Sequence, residues 1–318
     1  MKSFLNPAPF QGKFKRKFYF EGWYLKHVSS DKSRVLSFIP GVSLSREGNH
    51  CFIQVIDGIS GQTWYCSYPL ESFEADRKHF SIRLGDSLFS QEGCRIRIDE
   101  KDLQVSGDLQ YEQSLSFPRS FSNPGIMGWF SYIPGMECRH DVLSMNHFIK
   151  GELLFNQQKI DFTEGLGYIE KDWGWNFPSS YIWLQCNNFD EPDTSFMLAV
   201  ALIPLGPICF TGFLGFFHNR GQTRVFGTWN RWRISSLDFQ GIGKGSFTLT
   251  DGKESLSCRV EGKEGGSLKA PAKGAMSQVI KESVNSDIVI DFKNSEGGLR
   301  TISGSPAGFE ERGVLNKR

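Results

Sequence analysis

The sequence has almost no surplus of charge: 36 lysines and arginines stand against 35 aspartates and glutamates, a formal net of +1 over 318 residues. Such balance leaves no electrostatic footprint for nucleic acid. Its seven cysteines, Cys51, Cys66, Cys94, Cys138, Cys186, Cys209 and Cys258, are odd in number and include no C-x-x-C pair. That argues against a disulfide framework or a zinc site, and for reduced, mostly buried thiols. Met1 to Phe20 is broken by Pro7, Pro9 and a basic run, so no secretory signal is read there and a cytoplasmic location is expected.

Long amphipathic helices are missing too, because no extended window keeps a 3.6-residue apolar period. Phe196 to Phe217 carries no charge, yet Pro204, Gly206, Pro207, Gly212 and Gly215 interrupt it. Two buried strands around a Leu205-Gly206-Pro207 turn are expected there, not a membrane span. Gly241-Ile242-Gly243-Lys244-Gly245-Ser246 departs from a phosphate loop, and strand-like Phe247 to Thr250 follows where a helix is required. A hairpin turn is expected. Serine hydrolase signatures are absent.

What is abundant is the aromatic side chain, at 14% of residues, with 28 phenylalanines and 8 tryptophans. Short aromatic and β-branched runs recur, among them Val35 to Ile39, Cys51 to Ile56, Arg95 to Ile98, Tyr181 to Asn187 and Ile288 to Phe292. Turn residues bound most of them, which predicts an all-β protein of sandwich or barrel architecture. The length favours two domains. They are expected at 1–158 and 159–318, with Phe117 to Phe155 as the connection. Lys253 to Lys273, rich in Gly and Lys, is expected to form a mobile hairpin and loop. The Lys13-Phe14-Lys15-Arg16-Lys17 run reads as a solvated face, or as a peripheral contact with a membrane surface or an anionic substrate.

One segment concentrates charge and indole: Tyr168-Ile169-Glu170-Lys171-Asp172-Trp173-Gly174-Trp175, followed by the alternating run Tyr181 to Asn187. As a strand, it would put Tyr168, Glu170 and Asp172 on one face and Ile169, Lys171 and Trp173 on the other. Two carboxylates on one face raise each other's pKa, and apolar surroundings raise it further. One of them then stays protonated near neutrality and serves as a general acid. The structural alternative is a solvated turn in which Lys171 pairs with an acid. A second knot, Glu21-Gly22-Trp23-Tyr24, repeats the pattern of an acid and an indole beside a glycine. His140 could serve as a base. His147, an odd number of residues away, would face the other side of a strand, so no shared metal site is expected.

These motifs together resemble the tocopherol cyclase family over nearly the whole chain. The resemblance rests on Arg16-Lys17-Phe18-Tyr19-Phe20-Glu21-Gly22-Trp23-Tyr24, His140, Tyr168 through Pro178, Trp183-Leu184-Gln185-Cys186-Asn187 and Leu268-Lys269-Ala270-Pro271. Plant members carry Asn where this chain has Asp172, which makes Glu170 the better candidate acid. The resemblance implies two tandem lipocalin-like antiparallel β-barrel domains, in a superfamily shared with carotenoid hydratases. It implies a cofactor-free closure of a prenylated hydroquinone to a chromanol, with a lipophilic small molecule as partner and no metal. In that reaction Glu170 would donate a proton, with Asp172 beside it, and His140 would take one. Trp23, Trp173, Trp175 and Trp183 would face the carbocation, while Glu21, Tyr24, Lys171, Gln185 and Asn187 would orient or bind the substrate. A non-catalytic carrier of lipophilic ligands and a polyene hydratase are the rival readings.

Overall fold

The computed structural model describes residues 6–14, 17–239, 243–313 and 315. Lys15 and Arg16 of the basic run, and Gly241 and Ile242 of the glycine-rich turn, lie outside the described residues. Strands make up the fold, with 3-10 turns at Leu70–Ser72 and Gly128–Tyr132. The first half opens with β1 (Tyr19–Val28), β2 (Val35–Ser45), β3 (Gly48–Asp57), β4 (Thr63–Pro69), β5 (Phe73–Ala75) and β6 (Ser81–Leu84). It continues with β7 (Ser87–Ser90), β8 (Gly93–Glu100), β9 (Leu103–Leu115), β10 (Cys138–Phe155), β11 (Gln158–Asp161) and β12 (Gly165–Gly174).

These strands form one 12-stranded antiparallel sheet in the order β4-β3-β2-β1-β12-β10-β9-β8-β7-β6-β5, with β11 on β10. Trp23 of β1 stacks on Phe80, just before β6, at 5.5 Å between centroids. Trp64 of β4 meets Phe155 of β10 at 5.7 Å. Strands far apart in the order therefore touch, and the sheet is rolled around a single apolar core. No ladder joins β4 to β5 among the described residues.

The second sheet has ten strands. They are β13 (Tyr181–Cys186), β14 (Ser195–Leu205), β15 (Ile208–Asn219), β16 (Gln222–Gly227), β17 (Arg233–Phe239), β18 (Lys244–Thr250), β19 (Ser255–Glu261), β20 (Gly266–Ala272), β21 (Ala275–Lys293) and β22 (Leu299–Arg312). Their order is β16-β15-β14-β13-β22-β21-β19-β18-β17, with β20 on β21, around a core of its own. The uncharged Phe196 to Phe217 run is the β14–β15 hairpin. It is buried near Phe196 and Phe217, but its tip is open and Ile208 is exposed. The β17–β18 hairpin brackets the glycine-rich turn.

Three expectations are corrected. The sheet changes between Gly174 and Tyr181, not at 158/159, because Gln158–Asp161 folds back on β10 as a hairpin. Only the first part of the Phe117–Phe155 connection lies outside strands, since Cys138–Phe155 pairs with both β9 and β12. The Lys253–Lys273 region is mostly strand and not loop, for β19 and β20 fill much of it, and Leu268 and Ala270 point inward at strand spacing and are buried against the first sheet. Of the cysteines, five are buried, Cys138 is half-buried and Cys209 is exposed, all as free thiols. No helix of the described residues is long and apolar enough to cross a membrane.

A third apolar cluster joins the sheets, drawing Tyr24, Val142 and Tyr168 from the first and Trp183, Met197 and Leu268 from the second. Gln54 reinforces the seam by presenting its amide as if it were backbone. It donates to the Lys269 carbonyl at 3.0 Å and accepts the Lys269 N–H at 2.8 Å. At Gly128, with φ +56, an added Cβ would fall 2.3 Å from the Trp229 indole, so glycine lets the connection lie against the second sheet.

Inside the first sheet, Lys171 and Glu21 form a fully buried ion pair at 2.5 Å. Lys171 also donates to the carbonyls of Pro7 and Pro9 at 2.6 and 2.7 Å, and lies over the rings of Trp23 and Trp173. Glu21 accepts from the Tyr19 hydroxyl and from the backbone N–H groups of Gln11 and Gly12. The pair therefore straps the N-terminal arm across the open core. Lys171→Met strands the Glu21 carboxylate, and we expect it to lose about 3–5 kcal/mol in chemical denaturation, with a smaller loss when Glu21→Gln is added. A single-variant loss under about 1 kcal/mol, the worth of an exposed pair, would refute a dry strap.

Candidate active site

β12 alternates as a strand must, and its outward face carries Tyr168, Glu170 and Asp172 toward the seam. Register supplies their neighbours. β10 sets His140 beside Asp172, and β1 sets Tyr24 beside Glu170 and Gly22 beside Asp172. From the second sheet, β13 brings Tyr181 and Trp183, while β21 and β22 bring Glu282 and Glu310, which are cross-strand partners. Between these walls lies a cleft with about 1130 Å³ of empty space, its mouth included. Phe20, Ile39, Phe52, Phe177, Leu214 and Ile280 make much of its lining apolar. A smaller recess continues from it, sharing Met127 and Ile203 and ending on Phe130, Phe210 and Trp229.

The polar atoms form a line. His140 Nδ1 lies 2.9 Å from Asp172 Oδ1, and His140 Nε2 lies 3.6 Å from Glu170 Oε2. Glu170 Oε2 accepts hydrogen bonds from the Tyr168 hydroxyl at 2.8 Å and Trp183 Nε1 at 3.1 Å. Burial pushes the Glu170 carboxyl up, and Asp172 adds to this. His140 and the two hydrogen-bond donors pull the other way, leaving it at about 7. Burial alone would lower the His140 imidazole, but the charges of Asp172 and Glu170 overcome it and hold it at about 9. At neutral pH the line therefore contains an imidazolium held by Asp172 next to a carboxyl poised to exchange its proton. His140, Glu170 and Asp172 also offer ligand atoms within 4.8 Å of one another, a set that could hold a metal ion.

On the facing wall, burial pushes Glu282 up to about 8 and Glu310 well above the usual carboxyl range, with like-charge repulsion contributing to both. Glu310 accepts the Tyr181 hydroxyl. Four carboxyls thus border one cleft, and desolvation keeps those of the second sheet neutral.

Among the residues expected at the site, Glu170, His140, Asp172, Tyr24 and Trp183 line the cleft. Glu21, Trp23, Lys171 and Trp173 do not, because strand alternation turns them into the first sheet's interior, where Trp23 stacks on Phe80. Trp175 lies beyond the end of β12, and its backbone bonds Glu137 and Gly274. Gln185 and Asn187 point into a buried polar seam: Lys26 donates to Gln185 at 3.1 Å, Gln185 to Asn187 at 3.2 Å, and Asn187 to Asn146 at 2.9 Å. They fasten the sheets together away from the cleft. Sequence reasoning passed over Tyr181, Glu282 and Glu310. A signal existed for Glu282, a glutamate between Ile280 and Val284 on the apolar face of a strand; nothing local marks Glu310 as its partner.

Comparison with known proteins fits this construction. Over residues 91–310, more than half of the chain, the sequence matches the model of a family described as tocopherol cyclase-like. It is 26% identical over 123 residues to the chloroplastic tocopherol cyclase of Zea mays, a match covering 34% of this chain and 26% of that protein. A probable chloroplastic tocopherol cyclase of Oryza sativa subsp. japonica matches to the same extent. The chain thus spans about a quarter of the length of these curated relatives. Among solved structures, CghA with Sch210972 superposes with a TM-score of 0.57 at 11% identity, covering 93% of this chain and 88% of that one. Kievitone hydratase from Nectria haematococca gives 0.52 at 11% identity over the same shares. At such identities the likeness speaks for the fold alone. Sequence motifs, fold and family match agree, and the chain belongs to the tocopherol cyclase-like family.

Proposed function

We propose that the protein closes a prenylated hydroquinone to a chromanol by acid catalysis in the cleft between its sheets, as an intramolecular lyase without a cofactor. The observation that carries this reading is the Asp172–His140–Glu170 line set against an apolar, aromatic wall. We read each rolled sheet as a lipocalin-like barrel, the cleft lying between the two. A lipophilic substrate fits its lining, and we place the enzyme in the cytoplasm, in peripheral contact with the membranes where such substrates reside.

Protonation of an unactivated alkene needs an acid that keeps its proton near neutrality and a site that excludes water. Glu170 is buried, and transfer of its proton leaves a carboxylate next to the His140 imidazolium, an ion pair that favours the transfer. The tertiary carbocation then faces Trp183 and Tyr24, whose rings meet edge to face at 5.4 Å. The phenol oxygen bonds to the cationic carbon and loses its proton. At neutral pH His140 already carries one, held by Asp172, so the base is the Glu170 carboxylate and not His140 as the sequence suggested. One proton is lent and returned, no electrons are exchanged, and product and substrate are isomers.

Incubation of the full chain with a panel of prenylated hydroquinones in ¹⁸O-water should give an unlabelled product isomeric with its substrate. Label in the product would reassign the protein to hydration, and tight binding with no product would make it a carrier. Glu170→Gln should lower kcat by roughly 10²–10⁴-fold, the worth of a general acid, while leaving ligand affinity within about threefold. Unchanged turnover would remove Glu170 from the mechanism. Because the reactive form is the protonated one, kcat should be highest below pH 7 and fall as Glu170 ionises above it. His140→Gln removes the cation that pulls this carboxyl down, so the alkaline limb should move to higher pH as kcat drops; a limb that stays in place would exclude their coupling.

A further inference from the structure

The facing wall holds an acid that this reaction scheme does not use. Glu282 is 3% exposed and lines the cleft beside Ile280 and Leu268, and its Oε1, itself closed to solvent, has no hydrogen-bond partner. Buried polar atoms left unpaired are few in native proteins and are costly. Its cross-strand neighbour Glu310 differs, for it takes the Tyr181 hydroxyl. The Tyr24 hydroxyl, which itself accepts from Ser37 Oγ at 3.2 Å, reaches the Glu282 carboxyl from the first sheet. Tyr24 in turn abuts Trp183, which donates to Glu170. Glu282 thus stands one aromatic pair away from the proton donor, as a polar spot on a largely apolar wall.

We infer that Glu282 is a substrate-anchoring residue, its carboxyl turning to hydrogen-bond a ring hydroxyl of the lipophilic ligand and so fixing the head group across the cleft from Glu170. The inference rests on the proposed substrate class. Burial keeps the carboxyl neutral at pH 7, so it offers both a donor and an acceptor without bringing a charge into the cleft. A hydroxyl can satisfy both, whereas an ether oxygen accepts from the carboxyl O–H but leaves its carbonyl oxygen without a donor. A site that hydrogen-bonds a hydroxyl discriminates sharply against analogues lacking it, because a buried group is then left unpaired.

The test is equilibrium binding of a geranylgeranylated hydroquinone and its dimethyl ether to the full-length protein, by titration calorimetry. Wild type should prefer the hydroquinone by about tenfold, as expected for one buried hydrogen bond. Glu282→Leu should bind both ligands with the weaker affinity, while Glu282→Gln, whose amide still donates and accepts, should keep most of the preference. Equal affinities in wild type, a preference that survives Glu282→Leu, or no binding of either ligand would overturn the inference. If Glu282→Leu does not fold, the wild-type ratio and Glu282→Gln still decide it. The two readings fail separately: a preference without turnover removes the cyclase, and turnover without a preference removes the anchor.

Discussion

The antiparallel pairing of β1 with β12 is the constraint on which the rest of this structure depends. Each strand sends alternate side chains to opposite faces, so one register sets both the inside and the outside of the first sheet. Inward go Glu21, Trp23, Lys171 and Trp173, which tie the N-terminal arm over the core. Outward go Tyr24, Tyr168, Glu170 and Asp172, which meet the second sheet. A slip of one residue would exchange the strap for the acids and destroy both.

Why the acids sit at the seam follows from the cost of burying charge. Within one core, a carboxylate must be paired, as Glu21 is by Lys171. Between two sheets it can be buried and still face a space that admits a ligand. The seam thus gives Glu170, Glu282 and Glu310 surroundings that hold their protons on near neutrality. The imidazole of His140 is the counterweight, keeping Glu170 within reach of ionisation where burial alone would silence it. Gln54, Lys26, Gln185 and Asn187 supply the polar fastening that keeps these walls in register.

Much of this was legible beforehand for local reasons. The Tyr168 to Asp172 alternation is a property of any strand, so the shared face of Glu170 and Asp172 could be read directly from their spacing. The β14–β15 hairpin was equally readable, since Pro204, Gly206 and Pro207 interrupt the apolar run where the chain turns. Tryptophan was the misleading signal. Trp23 and Trp173 lie next in sequence to cleft residues, yet adjacency in a strand means opposite faces, and their indoles belong to the first core. Gln185 and Asn187 misled for a similar reason: polar side chains on a buried strand suit a binding site and an inter-sheet fastening equally well.

By itself, then, the sequence determined the all-β class, the position of the strand that carries Glu170 and Asp172 and the face they share, because period-2 patterning and turn chemistry are local. Only the tertiary structure decided where the sheets divide, that the cleft lies between them, and that Glu282 and Glu310 close its far wall. Those outcomes depend on pairings such as β10 with β12, and on the packing of β2 against β21. They join residues far apart in the chain, which no local pattern records. The protonation states belong to the same class, since desolvation and opposing charge arise only when both sheets are in place.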